Sequence, residues 1–312
     1  MFCQYKNNRF EIFLLICKEY IFLLYVRLTL LLKYDTINTN MIPNPIGFAI
    51  DADEKEAEMV LAIDIGNTNI VIGCVENDEI LFNERVSTNH KATDLEYAIQ
   101  IKNIFEIHNI NPFSLEGAVM SSVVPSITET MENAIKKLTG CTPIIVGPGV
   151  KTGLRIMTDN PAQLGSDLVV DAVAGIKHYN TPLIIIDMGT ATTVSVIDSD
   201  ESYLGTLIIP GMRTSLDALV SGAAQLPKVK LDTPKRVVAK NTAESMANGI
   251  LFYTASGLDG CIERIEGELG RKCTVVATGG LAGSVVPLCK QEIIHDDDLL
   301  LKGLMIIYEK NK

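Results

Sequence analysis

Tryptophan is missing from this 312-residue chain, aromatic residues make up only 6% of it, and there are just four histidines. His90, His108, His178 and His295 lie far apart, and the seven cysteines (Cys3, Cys17, Cys74, Cys141, Cys261, Cys273, Cys289) form no Cys-x-x-Cys pair. These absences argue against a zinc site and a disulfide framework, and they point to reduced, mostly structural thiols in a cytoplasmic protein. Positive charge is also in short supply, with 27 Lys and Arg against 38 Asp and Glu, a formal net charge of -11. Such a chain has no electrostatic footprint for nucleic acid or an anionic membrane. Any phosphate it binds must be gripped locally, by backbone N–H groups, cations or a few side chains.

What the chain does have is apolar content, 47% over a length that favours about two domains and a substantial core. The first 58 residues do not resemble the rest of the chain. Ile12 to Leu32 is strongly apolar but carries Lys18, Glu19 and Arg27, which are costly at a bilayer centre, and no small-residue cleavage site stands after it. The expectation is therefore no stable membrane association. Met59 stands at the start of the first predicted strand, so residues 1–58 read as an atypical extension, with translation beginning at Met59.

From Met59 the periodicity predicts a meander of three strands, Val60–Ile65, Ile70–Val75 and Ile80–Val86, turning at Asn77-Asp78. Thr93-Asp94-Leu95-Glu96 has the capping-box spacing of a helix start, and that helix is expected to run to about His108. A strand at Gly117–Val123, a helix at Ser126–Leu138 and a strand at Pro143–Val146 come next. The stretch between Gly147 and Pro161 reads as loop, and Leu164–Tyr179 as helix with Asp167 near its positive end. The second half repeats the order: strands Leu183–Asp187, Val194–Asp198 and Tyr203–Ile209, then a helix at Thr214–Ser221. A long helix is capped by Asn241 and Glu244 and runs toward Leu269; the strand Thr274–Ala277 and a closing helix Leu299–Tyr308 complete the set. Meanders followed by alternating helices and strands, occurring twice, make an α/β fold of two similar halves, expected as lobes at 59–180 and 181–312.

The chemistry concentrates where the first strand of each half ends. Leu61-Ala62-Ile63-Asp64-Ile65-Gly66-Asn67-Thr68-Asn69 and Leu183-Ile184-Ile185-Ile186-Asp187-Met188-Gly189-Thr190-Ala191-Thr192-Thr193 both run from apolar strand to aspartate, glycine and a cluster of hydroxyls or amides. A tight Gly turn lined by such donors can cradle a phosphate chain, and its aspartate can hold a cation directly or through water. One copy alone would also suit an ordinary hairpin turn with an Asx motif. Three hydroxyls after a fully apolar strand exceed what a plain turn requires, and Gly279-Gly280 after a third apolar strand adds room for close approach of an adenine or ribose. By itself that glycine pair equally suits a flexible helix start. Asp167 likewise suits either a stabilising helix-N-terminal carboxylate or a base for an attacking alcohol.

The two turns, the Gly-Gly turn and the duplicated halves resemble the superfamily of acetate and sugar kinases, Hsp70 and actin. Within it, Asp64 to Asn69, Ser121-Ser122-Val123-Val124-Pro125, Asp159-Asn160-Pro161, Gly165-Ser166-Asp167, Asp187 to Thr193, Ile209-Pro210-Gly211, Asn241-Thr242 and Ala277-Thr278-Gly279-Gly280-Leu281 resemble, in order, the motifs of type III pantothenate kinases. The resemblance spans nearly everything from Met59 onward. It implies two ribonuclease-H-like lobes of the duplicated, actin-like ATPase fold, with ATP in the cleft. It implies ATP-dependent phosphorylation of pantothenate, a homodimer, Mg²⁺ for the nucleotide, and a monovalent cation, potassium or ammonium. By position, Asp167 would be the catalytic base and Asp187 the monovalent-cation ligand. Asp64, Ile65, Gly66, Asn67, Thr68, Asn69, Thr190, Gly279 and Gly280 would bind ATP, Asp64 holding Mg²⁺ through water. Gly165, Ser166, Asp167, Leu168 and Thr242 would contact the acceptor. The family usually has an arginine where Leu168 stands and a tyrosine where Thr158 stands, both on the acceptor side. A kinase of another small alcohol, or a catalytically weakened ATP-binding regulator, are the alternatives those two positions suggest.

Overall fold

The first meander forms because β-branched residues alternate their burial across a pleated surface. In a computed structural model that describes residues 59–77, 79–223 and 226–312, β1 spans Met59–Ile65, β2 Asn69–Glu76 and β3 Glu79–Ser87, paired antiparallel. Helix α1 (Asp94–Ile107) then carries the chain to β4 (Gly117–Ser122), which lies parallel to β1. The expected capping box is present: Glu96 N–H donates to Thr93 Oγ1 at 3.3 Å and Thr93 N–H to Glu96 Oε2 at 2.7 Å. Helix α2 (Pro125–Thr139) leads to the short β5 (Ile144–Ile145), closing a five-stranded sheet of order β3-β2-β1-β4-β5.

The stretch read from sequence as loop contains a strand, β6 (Arg155–Ile156), which joins the second sheet rather than the first. Two residues are too few for a periodic signal, and only pairing with Ser202 and Tyr203 reveals them. Helix α3 (Ser166–His178) comes next, starting later than expected because a short 3₁₀ turn occupies Pro161–Gln163. Then come β7 (Leu183–Met188), β8 (Ala191–Ile197), β9 (Ser202–Pro210), α4 (Met212–Gly222), α5 (Thr242–Leu269), β10 (Thr274–Thr278), α6 (Ala282–Val285), β11 (Ile294–His295) and α7 (Leu299–Glu309). The second sheet has order β11-β10-β7-β8-β9-β6. Apart from the added β6 it repeats the first, an antiparallel meander with two parallel strands beyond its opening strand.

Alternation along β1 sends Leu61, Ile63 and Ile65 to one face, against Tyr97, Ile101 and Phe105 of α1 and Ile127 and Met131 of α2. Val60 and Ala62 go to the other face, against Val170 and Val173 of α3 and Leu304 and Ile307 of α7. Helix α3 also sends Ala172 and Ala174 to the inner face of the second sheet, beside Leu183 and Ile185. The outer face of that sheet packs on Leu251, Leu258 and Ile262 of α5. Helix α3 is thus flanked by both sheets, which is why every residue from Leu168 to Gly175 is buried. Gly303 lets α7 approach α3 closely, since a Cβ there would strike the Val170 backbone oxygen. The C-terminal helix therefore packs on the first sheet.

All described residues belong to one unit, Lys55–Lys312. Among them, no helix is long and apolar enough to cross a membrane. The apolar stretch Ile12–Leu32 lies outside the described residues.

Candidate active site

Asp64 is the sixth residue of β1, on the face shared with Val60 and Ala62, so it points toward the layer between the sheets. Its register partners are Val71 on β2 and Ser121 on β4, and Val71 in turn pairs with Arg85 on β3. Asp187 holds the matching place on β7, beside Thr193 on β8 and Thr278 on β10, with Ile208 on β9 paired to Thr193. Two rows, Arg85–Val71–Asp64–Ser121 and Ile208–Thr193–Asp187–Thr278, thus repeat one geometry. Helix α3 brings Asp167 close enough to act electrostatically on both Asp64 and Asp187.

The turns behind the rows also meet. Thr68 Oγ1 and Thr190 Oγ1 are 2.8 Å apart, hydroxyl to hydroxyl. The first turn is closed by Gly66 N–H donating to Asn69 O at 3.0 Å, and Thr88 at the end of β3 donates its hydroxyl to Gly66 O at 2.6 Å. Asn67, Thr68 and Asn69 are exposed there, whereas the Ile65 side chain is fully buried in the outer core, leaving its backbone alone at the turn. The second turn is held by Thr214 Oγ1 donating to Thr190 O at 2.7 Å and by Gly211, where any Cβ would collide with Gly189 O and Thr190 O. This accounts for the Ile209-Pro210-Gly211 segment as a brace for the turn.

Burial controls the acids. Enclosure pushes Asp64 up to about 7; the hydroxyl of Ser121, donating to Asp64 Oδ1 at 2.6 Å, opposes this, Asp167 and Asp187 add repulsion, and Arg85 offsets part of it. Asp187 is pushed up to about 6, mainly by burial and then by Asp167, again offset by Arg85. Asp167 is raised by burial against the opposing Leu168 N–H, which donates to its Oδ1 at 2.9 Å and fixes the carboxylate. Perturbed carboxylates brought together from β1, β7 and α3 mark a candidate functional site.

A Cβ at Gly165 would strike Asp167 Oδ1, so a side chain there would displace that carboxylate. Ser166 is engaged by the scaffold: its hydroxyl donates to Ser122 O at 3.0 Å and accepts from Ser122 N at 3.2 Å, tying the start of α3 to the end of β4. Leu168 is buried. The glycine pair serves neighbours already present. Gly279 has φ +91°, and a Cβ there would lie 2.6 Å from Asp187 Oδ1, while one on Gly280 would collide with Arg85 Nη1. Thr242, at the first turn of α5, is exposed, and among the described residues no hydrogen bond ties it to the others.

Sequence reasoning missed Arg85 and Asp171. Arg85 looked like any solvated strand residue, and only the register of β3 puts it in the row. Asp171 is 2% exposed, its Oδ1 has no partner, and burial followed by repulsion from Asp187, Asp167 and Asp64 raises its proton affinity. Its spacing of four from Asp167 was an available sign, because such residues share a helix face.

Two sheets of repeated topology, each opening strand ending on an aspartate and a glycine turn, make a duplicated α/β fold of two similar lobes. A family model described as type III pantothenate kinase matches residues 60–264, and the chain belongs to that family. A type III pantothenate kinase from Exiguobacterium sp. is 43% identical over 255 residues, covering 81% of this chain and 100% of the relative. Among solved structures, a Baf family transcriptional activator from Campylobacter jejuni superposes with a TM-score of 0.49 at 20% identity, over 80% of this chain and 97% of that one. MreB 5 of Spiroplasma citri gives 0.47 at 14% identity, over 81% and 96%.

Proposed function

We propose that this protein transfers the γ-phosphoryl group of ATP to the hydroxyl of pantothenate, giving 4'-phosphopantothenate, the first committed step toward coenzyme A. The observation that carries this reading is the meeting of Asp64, Asp187 and Asp167 between two touching glycine turns, in a chain of this family. Thr68, Asn67, Asn69 and Thr190 hold the phosphates. Asp167 takes the proton of the acceptor hydroxyl as its oxygen bonds to the γ-phosphorus, and the bond to the bridging oxygen breaks to release ADP. Burial raises the proton affinity of Asp167, which suits a base working near neutrality. Positioning and charge neutralisation supply most of the rate in such transfers.

The donor set suits cations of two kinds. Among the described residues no group of three or more His, Cys, Asp or Glu is arranged to hold a metal. Mg²⁺ arrives with the nucleotide, held by phosphates and water with Asp64 in support. Beside Asp187, the Thr193 hydroxyl is buried without a partner, and carboxylate with hydroxyl oxygen suits potassium or ammonium. When bound, these ions offset phosphate charge. We place the protein in the cytoplasm, and as a homodimer, the latter supported by Leu204, Leu207, Ile208 and Leu219, which β9 and α4 leave exposed.

ADP release by the full chain with ATP, Mg²⁺ and potassium should require pantothenate. Folded protein that binds ATP yet forms no pantothenate-dependent product would overturn the reading. Leu168 favours one competitor, a different small alcohol as acceptor, because leucine cannot form the bidentate contact that arginine makes. A panel of hydroxyl acceptors separates the two, pantothenate being expected to give the highest kcat/KM.

A further inference from the structure

Arg85 reaches out of its own lobe. It sits on β3 in the row of Asp64, yet its guanidinium lies against Gly280 of the other half, with Cζ 3.2 Å and Nη2 3.7 Å from where a Cβ of residue 280 would stand. Its charge acts on both Asp64 and Asp187, so it stands near both phosphate turns. Among the described residues, Arg155, Arg236, Arg264 and Arg271 each bind a carboxylate, hydroxyl or carbonyl of the chain. The Arg85 guanidinium makes no hydrogen bond or ion pair among the described residues, as is also true of exposed Arg213, but it alone is seated against the Gly280 backbone within electrostatic reach of Asp64 and Asp187. Three residues further on, Thr88 donates its hydroxyl to Gly66 O and its N–H to Thr68 O, at 2.6 and 2.9 Å. The end of β3 is therefore part of the first turn.

A triphosphate approaching the two turns meets Asp64, Asp167 and Asp187, with Asp171 buried behind them. Leucine stands directly after the proposed base, so no cation comes from that position. A planar guanidinium suspended between the turns with its donors unused has the geometry for two phosphate oxygens at once. We propose that Arg85 is the phosphate-gripping side chain of the nucleotide site, bridging the lobes by binding the phosphate chain of the nucleoside triphosphate. On this reading Gly280 is glycine so that the guanidinium can pass. The proposal rests on the ATP-dependent kinase reading above.

The full chain is compared with Arg85→Ala and Arg85→Lys by titration with AMPPNP and with adenosine, and by steady-state turnover. Arg85→Ala should weaken AMPPNP about tenfold to a hundredfold, the scale of a lost charge-assisted contact, and leave adenosine unchanged. Turnover should fall by about 10²–10³, as when a preorganised donor is removed. Added guanidinium should restore part of it, and Arg85→Lys should lie between. Equal weakening of both ligands, or AMPPNP affinity within about twofold of the parent, would overturn the proposal. Gly280→Ala supplies a second arm: its loss in AMPPNP affinity should vanish in the Arg85→Ala background, and additive losses would count against the bridge. Nucleotide binding is read without pantothenate, so a wrong acceptor leaves this test intact.

Discussion

The two matched rows share a frame and differ in chemistry. In the first, Asp64 receives a short hydrogen bond from Ser121 and has a guanidinium two strands away. In the second, Asp187 has Thr193 beside it with an unpartnered hydroxyl, and the place matching Arg85 is Ile208, 72% exposed. Duplication sets where side chains point, because register and pleat are inherited with the backbone. Divergence of the flanking residues then leaves one carboxylate beside a hydroxyl donor and a guanidinium, and the other beside an unpartnered hydroxyl.

The largest expected effect falls on neither row but on the group between them. Asp167→Asn should lower kcat by about 10²–10⁴, the usual range for a lost general base, while AMPPNP affinity stays within about twofold. Unchanged turnover would remove Asp167 from the base role. Next, Asp187→Asn should abolish the potassium dependence of turnover, and Asp64→Asn should instead raise the Mg²⁺ concentration needed for half-maximal rate. If both variants lose the same dependence, the division between the rows is wrong.

A pH series measures the rows without substrate. Asp64 at about 7 and Asp187 at about 6 bind protons more tightly folded than unfolded, where carboxylates sit near 3.8. Between those limits the folded state carries the extra protons, so stability falls as pH rises from about 4 to about 7. Ligand-free protein should melt higher at about pH 5 than at about pH 7.5. Asp64→Asn should flatten that slope and raise Tm at the higher pH, on a scale of about 2–4 °C per kcal/mol relieved. A melting temperature that rises with pH would contradict the burial assigned to these acids. The smallest effect compares the strand partners: Ser121→Ala removes a hydrogen bond worth about 1 kcal/mol and should cost a few-fold in turnover, more than Thr278→Ala, for which the structure shows no bond to Asp187.

The sequence carried the strands whose apolar runs are long enough to read, the capping box at Thr93 and the cap at Asn241. It also carried both aspartate-glycine turns and their repetition. Those features are local, written in residue types a few positions apart. It concealed β6, two residues whose only signature is a partner 47 positions away in the chain, as the Arg155–Ser202 pairing shows. It concealed why Ser166 and Gly211 are needed, since each answers to a neighbour from another segment.

Composition and pattern by themselves determined an α/β chain of two similar halves, each ending its first strand on a phosphate-type turn. Only tertiary structure decided that the two turns touch through Thr68 and Thr190, that α3 carries Asp167 and Asp171 between the sheets, and that Arg85 crosses to Gly280. The physical reason is range. Turn chemistry and strand periodicity depend on neighbours in sequence, whereas burial, repulsion among carboxylates and the reach of a guanidinium depend on which distant segments the packed core brings face to face.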